Sequence, residues 1–173
     1  MEMRLKVSGA AAAAGSVTDF RFVTTAAALD AVPENAVLEG DIIVEGTLQS
    51  TGTGFRVTGT AKARRSFVCD RCLKACSENS AYAFTEDFRP SDGEPSGDGE
   101  SVFEGEVLDI APLIHDVVLS AQPMQNLCRP DCRGLCPRCG ADLNEKDCGC
   151  DRRPIDPRLA GLEKLLRDSE EED

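Results

Sequence analysis

Six of the nine cysteines lie between Cys128 and Cys150, at the spacing C-x3-C-x3-C-x2-C-x8-C-x-C. At its centre stands Cys136-Pro-Arg-Cys139-Gly140. Such a run predicts a tight turn with both thiolates aimed at one point. Pro137 stiffens the turn, and Gly140 lets backbone N–H groups approach the sulfurs. Thiolates arranged this way take up a cation in a tetrahedral site, and zinc is the usual occupant. A disulfide framework is the alternative, but it needs an oxidising compartment. The first six residues carry both charge signs, and Ala10–Ala14 is short and weakly apolar, unlike a secretory signal. No stretch has the length and apolarity of a membrane span. The expectation is a reduced, cytoplasmic protein with a structural metal.

The simplest ligand set is Cys136, Cys139, Cys148 and Cys150, close to a short zinc-ribbon spacing. Cys128 and Cys132 then need partners, and Cys69-Asp-Arg-Cys72 upstream supplies them. Together they would form a second four-thiolate site, with Cys76 left over. The alternative is one ion, with Cys69 and Cys72 in a bare hairpin turn. A redox role for Cys69, Cys72 and Cys76, or metal handling, is a further alternative. Redox C-x-x-C pairs open a helix after a strand in a βαβ unit, however, and no such pattern surrounds Cys69.

Catalytic apparatus is not evident. The single histidine, His115, falls inside a helical stretch and reads as structural. No phosphate-cradling glycine loop or nucleophile motif occurs. All-thiolate sites are closed sites that hold shape, so the expectation is a protein that is not an enzyme and has no small-molecule substrate.

These cysteines need elements to carry them. Leu5–Ser8 and Val17–Thr24 read as short strands. Residues Val37–Gln49 alternate, with Leu38, Gly40, Ile42, Val44, Gly46 and Leu48 on one face. Ser50–Gly54 is a turn signal. Phe55–Val68 alternates again, placing Phe55, Val57, Gly59, Ala61 and Ala63 inward and Arg56, Lys62 and Arg64 outward in a row. Ala81–Phe88 and Val102–Val107 are further strands. Asp109 can cap a helix with Pro112 in its first turn and Leu113, Ile114, Val117 and Val118 in one stripe. Asp156-Pro157 opens a second short helix.

The expected class is therefore α+β and β-rich. An antiparallel sheet or open barrel-like core with one or two short helices precedes a zinc-ribbon-like module. Residues 1–123 form the core, with a mobile acidic loop at about 90–100. Residues 124–153 form the Cys-rich module, and residues 154–173 a short helix and acidic tail. The net charge of −12 speaks against a general nucleic-acid binder. Bases cluster locally between Arg56 and Lys74, however.

The segments Gly46…Gly59, Cys69-Asp-Arg-Cys72-Leu and Glu106-Val-Leu-Asp-Ile, with Gly-Leu-Cys-Pro-Arg-Cys-Gly-Ala-Asp-Leu-Asn and the trailing Cys-Gly-Cys, resemble the YceD family. Those are the bacterial and plastid large-ribosomal-RNA-subunit accumulation proteins, and the resemblance covers about residues 37–166. It implies a role in making or preserving 23S ribosomal RNA. Expected partners are pre-ribosomal RNA or a large-subunit ribosomal protein. Phosphate contacts would come from Arg56, Lys62, Arg64, Arg129, Arg133 and Arg138. Acidic surfaces could instead hold a basic ribosomal protein.

Overall fold

The long alternating runs pair as a hairpin because each buries one face and their turn is glycine-rich. In the computed structural model, which describes residues 3–8, 13–91 and 101–151, strands β3 (Val37–Ser50) and β4 (Phe55–Val68) are antiparallel neighbours. Strand β2 (Val17–Thr25) pairs with β3, and β5 (Ala75–Pro90) pairs with β4, both antiparallel. The short β6 (Ser101–Phe103) adds to β5 in parallel. The order β2-β3-β4-β5-β6 leaves β2 and β6 as edges, so the sheet is open. A separate two-stranded ladder joins β1 (Arg4–Lys6) to β7 (Val107–Asp109).

Two compact units divide the chain at Cys128/Arg129. The first extends past the boundary expected at residue 123 because Asn126 is bonded into it. Its backbone carbonyl accepts from Asp70 N, its N–H donates to Asp70 Oδ2, and its Nδ2 donates to Asn35 O. In this unit Val44, Val57, Leu108, Ile110, Ile114 and Val118 are fully buried in one apolar cluster. Ile114 and Val118 lie on helix α2 (Ala111–Ser120), where the Asp109 carboxylate accepts from Ala111 N at 2.9 Å.

Several expectations need correction. β5 begins at Ala75, directly after the cysteine turn, and not at Ala81. Its polar first residues carry no alternation of their own, and cross-strand bonds to β4 order them. The strand expected over Val102–Val107 is two strands, β6 and β7, divided where Gly105 takes φ 72°. A single-turn helix, α1 (Ala26–Leu29), was not foreseen; Thr25 Oγ1 accepts from Ala28 N at 3.2 Å and caps it.

Gly40 is exposed at φ 68° and not on the core face. It sits in an irregularity, since Glu39 opposes Arg64 but Ile43 opposes Lys62. Two extra residues on β3 keep the side-chain parity, so Leu38 and Ile42 still point inward. The expected acidic loop falls mostly, and the helix opening at Asp156 wholly, outside the described residues.

The second unit is organised around short-range bonds. Leu135 bridges Asp142, Cys136 N donates to Ala141 O at 2.8 Å, and Gly140 N donates to Cys136 O at 2.9 Å. Gly140 takes φ 71°, a left-handed conformation costly for other residues. Among its described residues Leu143, Cys132 and Cys136 are the buried side chains, too few to order that part by apolar burial.

Candidate metal centres

The turn after β4 aims its sulfurs by backbone geometry. Cys69 N donates to Lys74 O and Leu73 N to Cys69 O, both at 2.9 Å, with Leu73 left-handed at φ 59°. This turn joins two strands, so no helix N-terminus faces Cys69 or Cys72. Backbone N–H groups do that work instead. Those of Cys72, then Cys128, then Arg71 point at the Cys69 sulfur and lower its pKa to about 6, against the opposing effect of burial. The Cys136 sulfur receives the N–H groups of Cys139 and Arg138 and is likewise lowered to about 6.

Eight of the nine cysteines gather into two groups. The sulfurs of Cys69, Cys72, Cys128 and Cys132 all lie within 4.8 Å of one another, as do those of Cys136, Cys139, Cys148 and Cys150. None is in a disulfide. The Cys72 and Cys128 sulfurs are 3.7 Å apart, far beyond a bond of about 2 Å. A tetrahedral zinc with Zn–S of about 2.3 Å has S···S edges of about 3.8 Å. The donor set therefore fits a thiophilic tetrahedral ion. Crowding without a cation also shows in Cys150, whose thiol is pushed up to about 12 by the neighbouring Cys148 and Cys139 sulfurs. Cys76 belongs to neither group; its thiol donates to Lys74 O at 3.5 Å.

Residues around the sulfurs matter as much, and sequence reading passed over two of them. Asn144 accepts from Arg133 N and Arg129 Nη2, each at 2.8 Å, while its Nδ2 donates to Cys132 Sγ at 3.5 Å. Asn126, through its reciprocal bonds with Asp70, ties the chain just before Cys128 to the β4 turn. Only the Leu-Asn spacing after the second C-x-x-C pair could have drawn attention to Asn144.

The basic row is present on the outer face, and each cation has a carboxylate. Arg56 Nε and Nη2 donate to the two oxygens of Asp87, both at 2.8 Å, holding that carboxyl below its ordinary range. Lys62 pairs with Glu45 at 2.9 Å, and Arg64 with Glu39 at 3.3 Å. Glu45 also accepts from Arg21, and both cations lower its pKa, Lys62 the more. Arg129 pairs with Asp131 at 3.4 Å and Arg133 with Asp147 at 3.9 Å. Arg138 is exposed and has no ion pair among the described residues.

Arg65, next in sequence to the row, is buried at 3% exposure on the core side. It donates to Glu78 at 2.7 Å and stacks its guanidinium 4.5 Å from the Phe67 ring centroid. His115 Nδ1 lies 2.8 Å from Asp116 Oδ1. No helix among the described residues is long and apolar enough to cross a membrane.

Comparison with known proteins places the chain in a family. A family profile described as large ribosomal RNA subunit accumulation protein YceD matches residues 57–166. An uncharacterized Mycobacterium tuberculosis protein is 37% identical over 145 residues, 80% of this chain and 66% of its own length. The chain thus spans just under two thirds of that relative. The uncharacterized protein YlbN of Bacillus subtilis is 35% identical over 78 residues, 43% of this chain and 44% of that one. The chloroplastic large ribosomal RNA subunit accumulation protein YCED homolog 1 of Arabidopsis thaliana is 34% identical over 58 residues, 34% of this chain and 18% of that one. No solved structure matches the chain. With both cysteine pairs of the family segment placed and the profile covering most of the sequence, the chain belongs to the YceD family.

Proposed function

We propose that this protein is a non-enzymatic ribosome-biogenesis factor that supports accumulation of 23S ribosomal RNA and is held in shape by structural zinc. The observation that carries this reading is the composition of the two sulfur groups. Four thiolates complete a tetrahedral ion and leave no position for water or substrate, so such a site stabilises structure instead of turning over. Cys69, Cys72, Cys128 and Cys132 would hold one ion, and Cys136, Cys139, Cys148 and Cys150 the other. Bound zinc supplies the positive charge that crowded thiolates lack and ties together a unit with few apolar residues. The printed name of the Arabidopsis relative supports the ribosomal process.

The partner in this reading is a large-subunit component in the cytoplasm, either pre-ribosomal RNA or a ribosomal protein. If RNA is bound directly, Arg56, Lys62, Arg64, Arg129, Arg133 and Arg138 are its phosphate contacts, and five of them must exchange a carboxylate for a phosphate. The test is complementation of a host lacking its own family gene, read as the 23S to 16S RNA ratio. The wild-type chain and Cys76→Ser should restore the ratio, and Cys72→Ser with Cys139→Ser should not. An unchanged ratio with and without the wild-type chain would reject the role.

A further inference from the structure

The solvent face of the sheet is uneven. Along β4 and β5 its middle is small and polar, with Thr58, Thr60, Ala83 and Thr85 outward. At the end nearest the cysteine turn three large apolar side chains stand out instead: Val32 at 71%, Val37 at 64% and Val68 at 53% exposure. They line one groove of about 980 Å³, floored by β3, β4 and the start of β5 and walled by the segment from Val32 to Ala36. Contiguous apolar surface of this kind on a charged protein marks a site of protein contact.

The groove's charge selects the partner. Glu34, Glu39 and Asp70 line it, against the single cation Arg64. Arg64 is held by Glu39, and Ser66 Oγ donates to the same carboxylate. The remaining field is negative, which repels phosphate and attracts lysine and arginine. Buried in the groove wall at 3% exposure is Asn126. Its Nδ2 is engaged by Asn35 O, while its Oδ1 is buried with no hydrogen-bond donor. A buried acceptor without a donor is costly and uncommon.

We infer that this groove docks an extended, basic segment of a protein partner, with apolar side chains on Val32, Val37 and Val68 and cations toward Glu34 and Asp70. This rests on the proposed biogenesis role and names the class of partner within it: a basic protein, not RNA.

Fluorescence anisotropy of the full-length, zinc-loaded protein with a labelled peptide of alternating lysine and valine tests the inference. Wild type should bind, and Val68→Lys or Glu34→Lys should each weaken binding by roughly tenfold, about 1.4 kcal/mol. Val17→Lys provides the control, because this exposed residue pairs with Gln49 at the far end of β3. It makes the same charge change as Val68→Lys and should leave affinity unchanged. Equal weakening by Val17→Lys, absence of binding, or displacement of the peptide by a uridine oligonucleotide overturns the inference. The same variants read by the 23S to 16S ratio separate the two claims. Loss of 23S RNA in the cysteine variant but not in Val68→Lys leaves the biogenesis role standing and sinks the groove. No loss in either sinks the role itself.

Discussion

Gly46 and Gly59 face each other across β3 and β4, and aromatic rings fill the space their side chains would need. A Cβ on Gly46 would lie 2.8 Å from the Phe20 ring and would overlap Thr58 O. One on Gly59 would lie 2.7 Å from the Phe84 ring and 2.5 Å from Glu45 O. The row Phe20, Gly46, Gly59, Phe84 runs across the sheet, so the rings lean over the glycines from both flanks. Rings can turn aside, but the carbonyls belong to the ladder. Gly59→Ala should therefore cost roughly 1–3 kcal/mol, the range for overpacking, read as a lower urea midpoint. Unchanged stability would show that the strands separate freely here.

Buried and exposed cations should behave differently. Arg65 is enclosed, with Glu78 its charged partner at 2.7 Å and Gln122 Oε1 at 3.3 Å. Removing the carboxylate by Glu78→Ala leaves a buried guanidinium short of an acceptor and should destabilise by about 1–3 kcal/mol. Asp87→Ala breaks an exposed pair with Arg56 and should leave thermal stability within error. Equal effects from the two would contradict the burial of Arg65.

Native mass spectrometry of protein purified without chelator should show two zinc ions. Cys72→Ser should retain one, Cys139→Ser should retain one, and Cys76→Ser should retain both. Zinc lost from Cys76→Ser, or a single ion in the wild type, would redraw the ligand groups.

Asn144 positions Cys132 through an N–H···S bond and anchors Arg129 and Arg133. Groups that orient metal ligands commonly change affinity by roughly 10–100-fold when removed. Asn144→Ala should lower zinc affinity within that range in competition with a fluorescent chelator, while still binding two ions at saturation. Wild-type affinity would reduce Asn144 to a local turn former.

Acid should release the metal. Backbone N–H groups lower the Cys69 and Cys136 thiols to about 6 in the metal-free fold, from 9.0. Unfolded thiols therefore bind more protons between those values, so these two groups favour the folded state increasingly as pH rises. That contribution is lost as pH falls through about 6. Cys150, raised to about 12, acts oppositely and only at alkaline pH. A bound cation keeps the thiolates unprotonated further into acid, so a metal indicator should report retention at pH 7 and release below about 6. Release on moving from neutral to alkaline pH instead would argue against thiolate ligation.

Much of this molecule was readable from residue order. Period-two alternation placed β3 and β4 and told their faces apart, because pleating repeats every second residue whatever lies opposite. The stripe of Ile114 and Val118 and the Pro112 start marked α2. The C-x-x-C pairs marked tight turns, since Pro137, Gly140 and the short loop after Cys69 act over a few residues. Gly46 and Gly59 were visible as glycines, but not as a facing pair beneath two rings.

What tertiary structure decided were the relations between distant segments. Ordering of Ser77 and Asn79 in β5 depends on pairing with Ser66 and Arg64, not on their own propensity. Whether Arg56, Lys62 and Arg64 stand free or paired depends on which acid the register sets opposite, and the irregularity after Glu39 resets that register. Assembly of Cys69 and Cys72 with Cys128 and Cys132 likewise joins residues more than fifty positions apart. Local spacing shapes a turn within a few bonds; long-range partners are selected only when strands align and close the intervening chain into loops.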